Sequence, residues 1–384
     1  MNIVPGFALW RVSRGIKNRR IFGCGAMARK KNPKDSSHGN NAPVAEPVTQ
    51  GSRATSYDVA LRAGVSQSAV SRCFQAGASI SPKMRVRVMR AAEELGYTPN
   101  AIARSLITRR SNLIAVIISN LTNLYYPEVL AELSALASAK GIRVLLFTLS
   151  AESEIDHVLE QVWQYRVDGA ISAARLSSAQ IDTFSKNGVP LVLYNRYLQG
   201  SNASAVFCDQ SDGARVLVER LVRVGHRRFG VIAGPRDSFV GQERVAASLQ
   251  QLAKLGFHNV PVVAGEYDYE SGVRGLHELV SAVKRCPQVV ICANDVMAIG
   301  AMDAARFDLG IAVPDKLSVV GFDGVGPASW SSYRLTTLRQ PVQRMAEATL
   351  SLLLDRIANP SLPPERRVFS GTLIEGSSAK LGSI

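Results

Sequence analysis

Residues 111–378 alternate short apolar runs with longer segments in which apolar residues recur at helical spacing. Such alternation predicts parallel strands covered by helices on both faces. The strand–helix units are too numerous for one open sheet, so we predict two doubly wound lobes. Ligands of such folds bind beyond the carboxyl ends of the strands, which places a small molecule in the cleft between the lobes. The predicted strands are LIAVII (113–118), VLLF (144–147), AIS (170–172), LVL (191–193), FGVIA (229–233), PVVA (261–264), VVIC (289–292) and LSVVGF (317–322), and the helical segments include 128–139, 211–224, 242–255, 273–283 and 296–309.

A different pattern precedes the strands: three short helical segments with few β-branched residues, from Thr55 to about Ser111. Thr55 can cap a first helix, and Gly64 stands where a tight turn needs positive φ. Ser66 then caps a second helix that runs to about Phe74. This spacing predicts a helix-turn-helix whose second helix exposes polar side chains to a DNA major groove, namely Gln67, Ser68, Ser71 and Arg72. A third helix opens at Ser81-Pro82 and exposes Lys83, Arg85, Arg87 and Arg90.

All of the excess charge lies in the first 110 residues. The net charge is +14; residues 1–52 carry nine basic and two acidic side chains, residues 53–110 carry ten and three, and the remainder balances at 26 of each. A basic segment attached to a neutral body predicts a polyanionic partner. A solvated tail explains the charge of residues 1–52, which we expect to be disordered, but not that of 53–110. Met27, which opens the sequence MARKKNP, offers a second position at which translation could begin, and the sequence leaves Met1 and Met27 open as the start.

Other features argue against several classes of protein. The five cysteines are scattered without a CxxC pair, which suits a reducing cytoplasm better than a disulfide framework or a zinc site. No apolar stretch is long enough to span a bilayer, and the first apolar run is too short for a signal peptide. Because the common catalytic motifs are missing and the five histidines lack metal-ligand spacing, we expect neither an enzyme, nor a cofactor, nor a metal site.

The helix-turn-helix segment resembles the DNA-binding headpiece of the lactose-repressor/galactose-repressor (LacI–GalR) family. The family pattern is T-x-x-D-V-A-x-x-A-G-V-S-x-x-T-V-S-R, followed by L-x-Y-x-P-N-x-x-A-x-x-L. The chain departs from it at Ala69, where threonine is usual, and at Cys73-Phe74, where small aliphatic residues are usual. It matches at Thr55, Asp58, Val59, Ala60, Ala63, Gly64, Val65, Ser66, Val70, Ser71, Arg72, Leu95, Tyr97, Pro99, Asn100, Ala103 and Leu106.

The resemblance implies a headpiece over 53–98 and a hinge over 99–110 that becomes helical, at residues 101–107, only on DNA and in a dimer. Leu106 would then be an apolar wedge that kinks the duplex from the minor groove; the alternative is a buried interdomain residue. The expected DNA-binding residues are Thr55, Tyr57, Ser66, Gln67, Ser68, Ser71, Arg72, Ser81, Arg85, Asn100, Ala103 and Leu106.

The resemblance continues over 111–378, which is similar to the two-lobed, periplasmic-binding-protein-like core of the same family, and leaves 379–384 as a tail. The expected fold is therefore a small all-α headpiece followed by an α/β domain of doubly wound parallel sheets. One departure is Glu375, where the family usually has arginine, which leaves the local ion pairs open. The expected effector-binding residues are Asn123, Tyr125, Tyr126, Asn195, Arg244, Tyr267, Asp295, Asp323 and Gln340.

These residue types suit a sugar, a sugar acid or a related metabolite, because aromatic faces cover C–H surfaces while carboxylates and an arginine satisfy hydroxyls. Three alternatives stay open: Asn294 and Asp295 as a helix cap, Asp323 as a turn residue, and the tyrosine pair 125–126 as packing between lobes. The resemblance implies a homodimer on double-stranded operator DNA, controlled by the effector. Without a leucine heptad after Ser378 we prefer a dimer to a tetramer. The rival is a periplasmic sugar-binding protein, which would need a secretion signal and no headpiece.

Overall fold

The computed structural model describes residues 53–75, 77–99, 110–119, 121–149, 152–236, 238–283 and 285–382. The chain divides into two compact units that meet in sequence between Tyr97 and Thr98. Three of the expected DNA-binding residues, Asn100, Ala103 and Leu106, lie outside the described residues, as does the expected tail at 1–52.

The first unit contains three helices: α1 (Ser56–Ala63), α2 (Gln67–Cys73) and α3 (Pro82–Glu94). Each begins at a side-chain cap. Thr55 forms a capping box with Asp58, and the hydroxyls of Ser66 and Ser81 accept from the backbone N–H three residues on. Gly64 ends α1 at φ 60°, the left-handed conformation that glycine adopts without strain. The helices bury one small core that includes Val59, Ala63, Val70, Cys73, Val88 and Ala91.

The second unit holds two six-stranded sheets. In the first lobe the chain runs through β1 (Leu113–Ser119), α4 (Tyr125–Ala139), β2 (Arg143–Leu149), α5 (Ile155–Gln164), β3 (Gly169–Ser172), α6 (Ser178–Lys186), β4 (Leu191–Tyr194) and β5 (Ser204–Asp209). The chain later returns to this lobe through α11 (Val342–Ala358) and β11 (Arg366–Ser370). The strand order is β11-β5-β4-β3-β1-β2, and every pairing is parallel.

The second lobe follows β5 directly. It contains α7 (Gln210–Arg223), β6 (Phe229–Ile232), α8 (Phe239–Lys254), β7 (Val262–Val263), α9 (Tyr269–Ala282), β8 (Val289–Cys292), α10 (Asp295–Asp303), β9 (Ser318–Asp323), β10 (Thr336–Arg339) and β12 (Thr372–Ile374). The order is β12-β10-β9-β8-β6-β7, parallel except where β12 pairs with β10. The chain crosses between lobes after β5, after β10 and after β11. The prediction of two doubly wound lobes is confirmed.

Glu375 follows β12 and pairs with a buried partner. Its two carboxylate oxygens accept from both terminal nitrogens of Arg220 on α7, at 2.6 and 2.9 Å. Arg220 is 7% exposed and also donates to the carbonyl of Gly382. Glu375 therefore ties the C-terminal segment to α7, which resolves the ion-pair question that the sequence left open. Within the described ranges, no helix has the length and apolar character needed to cross a bilayer.

Candidate functional site

The outer face of α2 presents polar side chains to solvent. Because Ala69, Val70 and Cys73 point into the core of the headpiece, the intervening positions face outward. Gln67 donates to the hydroxyl of Ser56 on α1 at 3.3 Å, so its amide already sits at the surface in a defined position. The described residues that we expect to contact DNA are all exposed: Thr55, Tyr57, Ser66, Gln67, Ser68, Ser71, Arg72, Ser81 and Arg85.

Three of these residues are also helix caps. Thr55, Ser66 and Ser81 accept hydrogen bonds from the first turns of α1, α2 and α3. A helix start combines free N–H groups with a partial positive charge and so attracts phosphate. Among the described residues, Arg72, Lys83 and Arg85 form no ion pair, whereas Arg62 and Arg90 both pair with Glu94. The headpiece therefore leaves positive charge uncompensated around α2 and the start of α3.

The interlobe cleft forms where strands of both sheets end. Residues at the carboxyl ends of β1 and β4 and at the start of α4 come from the first lobe; residues at the start of α8 and after β7 and β9 come from the second. The lining consists of Ser119, Asn123, Tyr125, Tyr126, Asn195, Arg196, Ser238, Val240, Arg244, Tyr267 and Asp323. Seven of the nine expected effector residues are thus brought together.

Arg244 and Asp323 form a buried ion pair at the centre of the cleft, each 2% exposed. The guanidinium of Arg244 donates to Asp323 Oδ1 at 2.5 Å, to Gln210 Oε1 at 2.9 Å and to the carbonyl of Ala293 at 2.7 Å. Burial disfavours its charged form, but the carboxylate of Asp323 outweighs that effect and the pKa of Arg244 is raised. The guanidinium is therefore a fixed charge held by three acceptors.

The two carboxylate oxygens of Asp323 differ in their hydrogen bonds. Oδ1 accepts hydrogen bonds from the guanidinium of Arg244 and from Gln340 Nε2, the latter at 2.8 Å. The buried Oδ2 has no hydrogen-bond partner among the described residues. The backbone of Asp323 is itself strained, with φ at 111°. A buried acceptor without a donor is costly, and here it lines a cleft. It therefore suits a ligand that brings a hydroxyl or N–H donor.

Gln340 connects the two lobes. It follows β10 at a crossover, and its Oε1 accepts from Asn195 Nδ2 at 2.9 Å and from the hydroxyl of Tyr125 at 3.3 Å. Its Nε2 reaches Asp323 in the second lobe. Gln340 thus lies behind the lining, where it positions Tyr125, Asn195 and Asp323.

Tyrosine side chains fill much of the cleft. Tyr125 lies edge-on to Tyr126, with ring centroids 5.4 Å apart, and its hydroxyl is 3.1 Å from that of Tyr194. Tyr267 bonds to Ser238 at 2.7 Å and packs so closely on Gly234 and Gly241 that a Cβ at either would lie about 2.5 Å from the phenol. Burial raises the pKa of Tyr267 to about 12, so its hydroxyl stays protonated.

The cleft is almost closed in this structure. The free space between its walls is about 20 Å³, about enough for one water molecule. Cross-lobe contacts hold it shut: Arg339 pairs with Glu128 at 3.5 Å, and the rings of Tyr197 and Phe239 meet edge to face at 5.3 Å. Because small-molecule sites are about 300–1,000 Å³, a sugar-sized ligand enters only after the lobes separate.

The structure corrects the expectation for Asp295, which does not line the cleft. It is fully buried at the start of α10, where Oδ1 accepts from Thr337 and Oδ2 accepts from the backbone N–H groups of Gly324 and Val325. Burial, and then the charge of Asp323, raise its pKa to about 8. Both oxygens of its carboxyl group are hydrogen-bonded to the protein, so Asp295 holds together the ends of β9 and β10. The neighbouring Asn294 is the helix cap.

Four lining residues were not predicted from the sequence. Ser238 and Val240 begin α8, and Ser119 ends β1. Arg196 follows β4; its guanidinium donates to the carbonyl of Ala173 and to Ser119 Oγ. Each stands directly after a strand that the apolar pattern had located or at the helix that follows it, and that position is the signal that could have found them.

Comparison with known proteins supports the two-part architecture. A family model described as bacterial regulatory proteins, lacI family, matches residues 55–100, and one described as a periplasmic binding protein-like domain matches 218–379. The ribose operon repressor of Haemophilus influenzae is 30% identical over 80% of this chain and 93% of its own length. The transcriptional regulator CelR of Thermobifida fusca is 32% identical over 84% of this chain and 97% of its own.

Two solved structures are similar over most of the chain. One is a Lac repressor dimer bound to operator and the anti-inducer ONPF, 26% identical, with a TM-score of 0.77 over 85% of this chain and 99% of that one. The other is a complex of the regulator CelR with cellobiose, 30% identical, with a TM-score of 0.64 over 85% of this chain and all of that one. The similarity therefore spans both the headpiece and the two lobes.

Proposed function

Because the chain belongs to the lacI family of bacterial regulatory proteins, we propose that it binds a double-stranded operator as a homodimer and that a small effector in the interlobe cleft controls that binding. The single observation that carries the proposal is the outer face of α2. Gln67, Ser68 and Arg72 are exposed together, on a helix that caps and a small core hold in place.

The DNA-reading role follows from chemistry. The amide of Gln67 and the hydroxyl of Ser68 can donate to and accept from base edges, while Arg72 suits guanine or phosphate. The capping residues Thr55, Ser66 and Ser81 mark the amino-terminal ends of α1, α2 and α3, which would face the phosphate backbone of the DNA. Leu106, which lies outside the described residues, is the proposed wedge that enters the minor groove.

The effector role rests on the composition of the cleft. Asp323 Oδ2 needs a donor, Arg244 supplies a fixed positive charge, and the rings of Tyr125, Tyr126 and Tyr267 provide aromatic faces. This combination suits a polyhydroxylated ligand such as a sugar or a sugar acid. Support also comes from relatives, since the Lac repressor structure is an operator-bound dimer and CelR binds cellobiose. The family consists of DNA-binding regulators, and we propose a cytoplasmic, non-catalytic role.

Selection of duplexes from a random library by the full-length chain tests the DNA-binding proposal. We expect enrichment of a pseudo-palindrome whose half-sites are one helical turn apart, as a dimer requires. The Arg72→Ala variant should bind the selected duplex about tenfold more weakly, and Gln67→Ala should relax preference at one base position. The matched control is Arg274→Ala, which removes an exposed arginine on α9. Recovery of unrelated sequences would refute the proposal.

A thermal-shift screen of sugars and sugar acids tests the effector proposal. A ligand at about a hundredfold its Kd stabilises the protein by about 2.7 kcal/mol, which should raise the melting temperature by roughly 5 °C. The shift should be absent in Asp323→Asn and retained in Asp315→Asn, a control at an exposed carboxylate. A ligand whose shift survives Asp323→Asn would show that the cleft is not its site.

A further inference from the structure

A second cavity lies in the first lobe, at the amino-terminal ends of the strands, whereas the interlobe cleft lies at their carboxyl ends. Its lining comes from the residues that precede β3 and β4 and from the ends of α5 and α11. Its volume is about 410 Å³, against about 20 Å³ for the closed cleft, and that size lies within the range of small-molecule sites. It is formed by Arg110, Val162, Trp163, Arg166, Val167, Asp168, Asn187, Gly188, Val189, Pro190, Ile357 and Pro360.

One side of this cavity is apolar and rigid. Trp163 packs edge to face on Phe184 with centroids 4.7 Å apart, which fixes the indole in place. Val189 and Pro190 form the adjacent wall, in the loop that leads into β4. Gly188, at φ 65°, would have no atom within 4 Å of a Cβ, so the space above this loop is open. A flat hydrocarbon or aromatic body would find a prepared surface here.

The polar side of the cavity presents hydrogen-bond donors of an arginine side chain. The carboxylate of Asp168 is already occupied: Oδ1 accepts from the backbone N–H and hydroxyl of Ser111, and Oδ2 accepts from the N–H of Asn112, all within 2.9 Å. Arg110 and Arg166 both line the cavity, and Arg166 makes no side-chain hydrogen bond or ion pair among the described residues. Arg166 also adopts φ 47°, an unusual conformation for a residue with a Cβ. The guanidinium of Arg166 therefore has donors to offer to an anion.

We propose that this cavity is a second ligand site that takes an amphipathic monoanion. The apolar body of the ligand packs against Trp163, Val189 and Pro190, and its carboxylate is directed to Arg166. The two sites differ in the ligand groups they favour. The cleft presents an unbonded carboxylate oxygen of Asp323 that favours a ligand donor, whereas the second cavity presents a guanidinium that favours a ligand anion. Because Asp168 holds Ser111 and Asn112, the site adjoins the segment through which the chain enters β1.

Titration calorimetry on the full-length chain tests the proposal, with naphthalene carboxylate as the probe and the neutral naphthyl methanol as its isostere. We expect one site for the carboxylate and binding at least about tenfold weaker for the alcohol, since the guanidinium contacts require charge. Arg166→Ala should weaken carboxylate binding about tenfold while leaving the Kd of the alcohol unchanged. Val189→Trp, which fills the cavity, should abolish both, and Arg274→Ala should change neither.

Each outcome bears on the proposal. No carboxylate binding, equal binding of acid and alcohol, or binding that survives Val189→Trp would overturn it; the last result would place the probe elsewhere, including the interlobe cleft. Melting curves establish that Val189→Trp is folded. If that variant does not fold, Arg166→Ala is the test by itself, because Arg166 is exposed and its replacement should leave the fold intact. A carboxylate that binds away from Arg166 would keep its Kd in Arg166→Ala, and that result would overturn the proposal.

Discussion

Removing either partner of the buried Arg244–Asp323 pair should lower the free energy of unfolding by a predictable amount. Changing Arg244 to Met removes the cation and leaves a carboxylate that is 2% exposed, with only the amide of Gln340 on Oδ1 and nothing on Oδ2. An uncompensated buried charge costs about 3–5 kcal/mol of unfolding free energy. Asp323→Asn removes the negative charge and leaves the buried guanidinium of Arg244 bonded only to neutral acceptors, which include Gln210 and the carbonyl of Ala293. By the same reasoning it should lower the free energy of unfolding by about 3 kcal/mol.

The double variant Arg244→Met with Asp323→Asn should cost less than the sum of the single changes. Neither unpaired charge remains, so we expect a coupling free energy of at least about 2 kcal/mol in a double-mutant cycle. Urea unfolding of the full-length chain, followed by the fluorescence of Trp163 and Trp330, measures each corner of the cycle. Arg215→Met with Glu219→Gln, an ion pair on α7 whose side chains are 48% and 34% exposed, is the control and should show little coupling. Additivity within about 0.5 kcal/mol at the buried pair would refute the reasoning.

Two further predictions concern residues around the cleft. Because the carboxyl of Asp295 keeps its proton to about pH 8 in the folded chain but titrates near 3.8 when unfolded, stability should fall as pH rises from about 4 to about 8. Asp295→Asn should flatten that slope in melting temperatures measured across this range, and an unchanged slope would contradict it. Gly241→Ala would place a Cβ 2.4 Å from the Tyr267 hydroxyl and should lower the free energy of unfolding by about 1–3 kcal/mol. Gly326→Ala, where a Cβ meets nothing within 4 Å, should stay within about 0.5 kcal/mol of the parent; equal effects of the two changes in urea unfolding would be evidence against the contact.

Much of the fold could be predicted because apolar runs and helical spacing mark buried elements directly. All eight predicted strands are present. The pattern did not locate β10, β11 and β12, because TTLR, RRVFS and TLI are short, mixed in polarity and lie at or next to the edge of their sheets. Strand β5 was also missed, although SAVFCD contains an uninterrupted apolar run at 205–208 and most of it is buried.

The cleft could be predicted only in part, because a sequence gives positions but not side-chain directions. The family resemblance pointed to Arg244, and the structure places its side chain in the lining of the cleft. Asp295 was expected at the site from the same resemblance, but the structure does not bring it into the lining of the cleft. Its carboxylate instead turns toward Thr337 and the backbone after β9, a contact that depends on how two strands meet far apart in the chain.

We propose that ligand binding in the cleft changes the affinity of the headpiece for DNA. The direct measurement is the Kd for the selected duplex, by fluorescence anisotropy at fixed salt, without and with a saturating amount of the ligand that raises the melting temperature. Coupling of about 1–3 kcal/mol predicts a change of roughly 5- to 150-fold in Kd, which is lost in Asp323→Asn. An identical Kd with and without the ligand would contradict the account.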